Sequence, residues 1–498
     1  MGGGKNLSKK QFLDISFDYG LNIDVEPSVA SNEELVQADN VEIMERGGFK
    51  KRFGVEALNS TSYSAQVNQV MEFPRDDGSV ELLAIVGTDL CKIASDGTKT
   101  VLQSLNNTRI PYFFLQDKFY FIDQGYEYYV YDGSTVNAVT PNPDADNDLS
   151  PIRRCKFAHY HSKSTRIFFS GDSQDKSAVY WTEYNDPTFV KGTSVVYPTR
   201  ADGQVKGISV LMDALIISYP YSNWIWRGID PEKDAIWERL PTSHGTMNGD
   251  TLTVTTNSLS MVSRGGIFTL SPSIIGVAME SKLGEQYIYN KAKNRVMSAI
   301  NEITDEDKVR AIYNSDTGRY MVAYCDDGTG INNKVLSFDW DTGAFSIYSG
   351  LSINDFCQRE NGDILMATEN YILKLDESST EDIQPDGTTT TIDMDVKTSK
   401  YQFEEPFKNK KLTRIFVIFK NYGSTHNLDV KLYVDDEIKH TYTITGKDNG
   451  ENTMTHREKT THVGKEFQLE IINNQYSPAE IYGIGFEYKP VRTGGSTV

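Results

Sequence analysis

Two Asp-Thr-Gly triplets, Asp316-Thr317-Gly318 and Asp341-Thr342-Gly343, have the most direct claim to chemistry, since two carboxylates brought together share a proton and act as an acid–base dyad. Both triplets are flanked by polar strand ends and lie 25 residues apart. Asp and Gly at such places are ordinary hairpin formers, so turns are the expectation. Asp144, Asp146 and Asp148 open with the spacing of a calcium loop, but Leu149 stands where its Gly belongs and Cys155 where its bidentate Glu belongs. An acidic surface loop is expected instead. His159 and His161 share one face of a strand, with no third metal ligand to name. Cys91, Cys155, Cys325 and Cys357 are far apart and form no C-x-x-C pair, which leaves reduced thiols on strands.

Neither G-x-S-x-G nor G-x-x-x-x-G-K-S/T occurs, so the nucleophile elbow and the phosphate-binding loop are missing. A glycosidase needs only two suitably spaced carboxylates, and 69 acidic residues leave that open. The aromatic runs "YEYYVY" (126–131) and "YSNWIW" (221–226) could stack on sugars, although blade core is the plainer reading. No catalytic constellation stands out. The expectation is a non-enzyme without metal or cofactor.

The elements that must position these residues are strands. Twenty-eight Tyr, 23 Phe and 38 Gly in 498 residues favour strands and turns, and the length suits two to four domains. The net charge of −19 argues against a general DNA-binding surface. The start lacks the apolar run of a secretory signal, Asn6 breaks the myristoylation pattern, and the most apolar stretch (207–226) contains Asp213, Pro220 and Asn223. A soluble protein made in the cytoplasm, with no membrane insertion, is expected.

From residue 65 onward, short β-like runs recur every forty to fifty residues, the period of four-stranded propeller blades, with Asp-Gly turns at 77–78 and 96–97. Phe119, Phe121, Tyr129 and Tyr131 alternate on one face of the second group. The expected fold is all-β: a propeller of six or seven irregular blades over 63–378, with one helical insertion near 287–303. A polar linker follows, and then a β-sandwich over 388–490, where Met394, Val396, Phe467, Leu469 and Ile471 alternate. Residues 1–62 read as an extended arm, or equally as a first irregular strand and loop that closes the propeller ring. Its apolar anchors Leu21, Ile23, Val25, Leu35 and Val41, with the basic run Lys50, Lys51 and Arg52, are candidates for contact with the chain's own propeller or with an acidic neighbour.

Within that arm, Gly20-Leu21-Asn22, Pro27, Glu34-Leu35, Ala38, Asn40, Gly48-Phe49, Lys51-Arg52 and Gly54 form a pattern. It resembles the N-terminal signature of bacteriophage tail structural proteins, and weaker likenesses at 258–273 and in the closing blades are similar to hub or nozzle proteins of short-tailed phages. The resemblance implies a virion tail subunit, assembled in the host cytoplasm as a homo-hexameric ring below the portal and adaptor proteins. It would carry tail fibres or tip proteins and let DNA pass without holding it. A glycan-binding or glycan-cleaving tail-associated propeller is the alternative.

Overall fold

The computed structural model describes residues 11–491 apart from 235, 256–257, 272–287, 291–294, 377, 384–386 and 404–405. Seven antiparallel quartets of strands succeed one another along the chain between Val67 and Asp376. Six are separate four-stranded sheets, and the remaining one, the sixth at 310–349, is one end of a ten-stranded sheet. Each quartet is built from hairpins whose turns the sequence marks, as where Val80–Val86 returns along Val67–Pro74 after Asp77-Gly78.

A lone four-stranded sheet leaves both faces wet, so each quartet must bury its apolar face on the next. Phe119 pairs with Tyr131 and Phe121 with Tyr129 across strands, and together they pack on Met71, Phe73, Leu83 and Ile85 of the first quartet. Like clusters join the second quartet to the third, the third to the fourth and the fourth to the fifth. The fifth meets the sixth where Tyr320 Oη donates to Thr251 O at 2.8 Å, the sixth packs on the seventh, and the seventh returns to the first through Leu365, Ala367 and Ile372 against Val67, Val70 and Ala84. The quartets therefore close a ring, which is a β-propeller.

The last quartet is completed from the far end of the chain. Gly54–Ala57 pairs antiparallel with Ile372–Asp376, Gly54 opposite Asp376 and Ala57 opposite Leu373. An inter-strand ladder joining the first and last parts of the propeller closes the ring more firmly than side-chain packing alone, because it satisfies an otherwise open edge.

Beyond the propeller, two sheets face each other across one apolar layer. The first is the far half of the ten-stranded sheet, with Met394–Thr398, Phe467–Asn473, Asn427–Val434 and Glu437–Thr445. The second is seven-stranded and centred on Lys410–Lys420 and Glu480–Pro490. Met394, Val396, Phe467, Leu469 and Ile471 from one share a core with Val417, Phe419, Ile484 and Phe486 from the other.

Two expectations need correction. Residues 11–57 are not an arm laid along a surface: Gln11–Ile15, Val41–Ile43 and Phe49–Lys51 enter the seven-stranded sheet, and Gly20–Leu21 and Glu34–Asp39 enter the ten-stranded one. The last two sit between the propeller quartet 310–349 and the C-terminal strands, so one continuous sheet runs from propeller to C-terminal body. The expected helix near 287–303 contracts to a single turn, Met297–Asn301, after a short strand at Ile288–Asn290; residues 287 and 291–294 of that span lie outside the described residues. Ala299 and Ile300 keep the apolar spacing because one turn is enough to bury them.

Candidate functional site

The joint between propeller and C-terminal body is where the sequence pattern of the arm converges. Asn40 sits at its centre in the left-handed region, at φ 56°. Its backbone N–H donates to Ile347 O at 2.7 Å, and its side-chain amide donates to Ser349 Oγ at 3.0 Å and Asp393 O at 2.9 Å. Its Oδ1 accepts from the Ser349 N–H and from Arg52 Nε, at 2.9 and 2.8 Å. One asparagine thus ties the arm to the propeller and to the C-terminal body. Asn tolerates this backbone region and supplies donor and acceptor together, which few residues can do.

Arg52 completes the joint. Its guanidinium forms a bidentate pair with Asp382, with Nη1 at 2.9 Å from Oδ1, and Nη1 and Nη2 also reach Phe53 O and Ser349 O. The two side chains are 1% and 3% exposed, so every donor is met inside the protein. Lys51 is likewise buried and donates to Asn473 Oδ1 at 2.9 Å and Gln475 O at 2.7 Å. Burial pulls its pKa down to about 8, against opposing pulls from Asp393 and Asp382. Lys50 pairs with Glu42 at 3.1 Å and lies over the Phe53 ring. The acidic neighbours of Lys50 and Arg52, Glu42 and Asp382, are therefore in their own chain.

The apolar anchors divide. Leu21, Leu35 and Val41 are buried in the core shared with the C-terminal sheets, Ile23 packs against that core half-buried, and Val25 is half-buried outside it. Two glycines of the pattern allow the close approach. A Cβ on Gly20, at φ +64°, would lie 2.8 Å from Ala344 Cβ, and one on Gly54 would lie 2.2 Å from Glu381 O.

A second cluster crosses the propeller channel. Arg109, before the second quartet, reaches Asp250 before the fifth at 3.2 Å and Asp355 of the seventh at 3.0 Å. Arg310 of the sixth reaches Asp250 at 3.3 Å, and Asp355 accepts from the Val70 N–H of the first at 3.2 Å. These groups lie deep in the body yet open onto the channel, with 26% of the Arg109 side chain and 29% of Asp250 exposed. Burial pushes the Asp355 carboxyl up despite the two arginines, whereas for Asp250 the same arginines overcome burial and hold it below the usual range. Such a split suits an acid and a base, but both carboxylates are already committed to guanidiniums that span the channel. Beside this staple a cavity of about 860 Å³ is lined by Tyr112, Phe114, His159, Tyr313, Phe356 and Arg359 among others.

The other sequence candidates are placed apart. Each triplet lies in its own hairpin turn; Asp341 comes up against Gly318 of the first triplet, but Asp316 faces Gly362 of the next quartet, so the two carboxylates make no dyad. Asp144 and Asp148 accept hydrogen bonds from their own turns. His161 is buried against Trp226 and bonded to Ser164 and Asp213, while His159 lines the channel. Tyr128, Tyr131 and Trp226 are core, whereas Tyr126 and Tyr221 are exposed. Among the described residues the four cysteines are unpaired thiols.

No family model matches the chain, and no curated protein matches it in sequence. Solved structures similar in shape include the WD40 domain of Neurospora crassa Pan2, at 8% identity and TM-score 0.42, covering 68% of this chain and 98% of that one. A catalytically inactive virginiamycin B lyase from Staphylococcus aureus matches at 15% identity and TM-score 0.41, over 65% and 98% of the two chains. PorZ, a surface component of the type-IX secretion system of Porphyromonas gingivalis, matches at 11% identity and TM-score 0.40, over 81% and 46%. These likenesses carry no functional argument, and the propeller rests on the strand pairing itself. Among the described residues no helix is long and apolar enough to cross a membrane.

Proposed function

We propose that this chain is a non-enzymatic structural subunit of a bacteriophage tail, of the hub or nozzle kind, working as a homo-oligomeric ring and attachment platform in the virion. The observation that carries the reading is where the tail-protein pattern falls. Gly20, Asn40, Arg52 and Gly54 are the residues that fasten propeller, arm and C-terminal body together. A resemblance confined to such residues concerns architecture rather than a local loop. It supports a shared assembly, with portal and adaptor proteins on one side and fibres or tip on the other.

Under this reading DNA travels between copies of the chain. The channel within one propeller is spanned by Arg109 and its two aspartates, so a duplex could pass only between copies arranged around an axis. The net charge of −19 suits a wall that does not retain phosphates.

Electron microscopy of the purified chain, and of virions labelled with antibody against it, tests the reading. Rings with an opening wider than a duplex, located at the tail, are the expected result. A monomer that releases sugar from a cell-wall extract would overturn it in favour of the glycan-cleaving alternative, which the aromatic and acidic lining of the 860 Å³ cavity favours.

A further inference from the structure

One guanidinium of this acidic chain keeps two donors unmet, although Glu238 lines the same cavity. Arg227 follows directly on the strand Asn223–Trp226 of the fourth quartet, and its Nε and Nη2 are buried without a hydrogen-bond partner among the described residues. Burial lowers its pKa against the opposing charge of Glu238. An unmatched buried guanidinium costs free energy that some partner normally recovers.

Its surroundings indicate what kind. Arg227 lines a cavity of about 440 Å³ with Lys163, Lys233, Ile229 and Ile236. Lys163 is occupied by Asp213 at 3.4 Å and Lys233 by Asp230 at 3.2 Å, and the lining Asp234 is occupied by the backbone N–H groups of Ile229 and Asp230. Ile229 and Ile236 are 56% and 68% exposed, and Met212, next to Asp213 in the adjoining hairpin turn, is 64% exposed. Large apolar side chains grouped at the mouth of a cavity mark an interaction surface, and an unmatched arginine within it marks the anchor point.

We propose that this edge of the fourth blade is the contact through which one copy of the chain receives the next, with Arg227 taking a carboxylate of the incoming copy and Ile229 and Ile236 covering the apolar neighbours of that carboxylate. Charge favours the occupant: with 69 acidic against 50 basic residues, a second copy offers carboxylates in excess, and the receiving guanidinium keeps two unmet donors beside the Glu238 that shares its cavity. The two sides of the contact differ, one cationic and apolar, the other acidic. Repetition of such a head-to-tail contact gives a ring when the rotation between copies closes, as the ring reading requires. This inference rests on the ring reading above and specifies its interface.

The test uses the full chain, measured by mass photometry and light scattering across a dilution series, for the wild type, Arg227→Gln and Ile229→Asp. Ile229 is exposed, so its substitution leaves the core intact, and thermal melts check both variants. The expected result is an oligomer for the wild type whose dissociation constant rises roughly 30-fold in each variant at unchanged melting temperature. A wild-type oligomer that neither variant weakens overturns the proposed contact while leaving the ring reading in place. A wild type that stays monomeric at every concentration overturns both.

Discussion

Arg52 and Arg109 each hold aspartate deep in the protein, yet the two networks are finished to different degrees. At the joint, Arg52 has Asp382, Asn40 and two backbone carbonyls around it, and its side chain is 1% exposed. Across the channel, Arg109 has two carboxylates but leaves a buried Nη1 without a partner, while 26% of its side chain is open. A sealed guanidinium can be tolerated only when every donor is met inside the protein, whereas at Arg109 the open part of the side chain keeps water on the charge and one unmet donor costs less. The first network is a fastening between parts of the chain, and the second is a staple that water reaches.

Arg52→Ala should be the most damaging way to break this contrast. It strands Asp382, 3% exposed, without a cation, at a cost of about 4 kcal/mol. Arg52→Lys should recover only part of that loss, because an ammonium cannot reproduce the bidentate geometry. Urea denaturation followed by tryptophan fluorescence measures both. Equal stability for Arg52→Ala and wild type would remove the joint from the account.

Asn40→Ala comes next, at about 3 kcal/mol: the left-handed backbone disfavours alanine, and Arg52 loses an acceptor in a sealed place. Asn40→Gly should recover the backbone part alone. A glycine variant no better than the alanine one would show that the hydrogen bonds carry the whole effect.

The two networks were unequally visible in the sequence. Hairpins announce themselves locally: Asp77-Gly78 and Asp96-Gly97 sit between strands that pair in the expected order, and Phe119 and Phe121 alternate onto a buried face. The C-terminal alternation through Val396 and Leu469 is as plain, since a period of two needs only one strand to be seen. The arm is different. Its strands run from two to six residues, too short for a periodic pattern, and their partners lie hundreds of residues away, as Asn40 to Asp393 does. Only the pattern of Gly20, Asn40, Arg52 and Gly54 marked the place, without its geometry. Arg109, Asp250, Arg310 and Asp355 gave no signal beyond standing at or just before the first strand of a quartet, because the blades repeat too loosely for that position to be recognised.

At the channel, Arg109→Ala should cost about 1–2 kcal/mol, less than either joint variant, since Asp250 keeps Arg310, Asp355 keeps the Val70 N–H, and water can reach the vacated space. The Asp355 carboxyl should titrate higher still once Arg109 is gone, measurable by carboxyl NMR. A loss as large as that of Arg52→Ala would mean that the channel network is sealed after all.

The smallest effect sharpens the contrast within the joint itself, where one aspartate is matched and another is not. Asp395 lies directly across from Asp39 in the ladder between arm and C-terminal body, with Glu470 also close; Gln37 and Lys431 only partly offset them. Burial and then these two carboxylates raise its pKa to about 6, from 3.8. A carboxyl whose folded pKa is raised holds its proton more tightly folded than unfolded, so its contribution to stability is full below about pH 3.8 and is lost as the pH climbs through about 6. Asp395→Asn removes the charge that repels at neutral pH. It should stabilise the protein by about 1 kcal/mol at pH 7.5, after discounting for its partial exposure, and the gain should vanish by about pH 4. Denaturation midpoints of the two proteins across that range measure it. A gain independent of pH would assign the effect to packing, and a loss at pH 7.5 would show that the lysine and glutamine already satisfy Asp395 as fully as Arg52 satisfies Asp382.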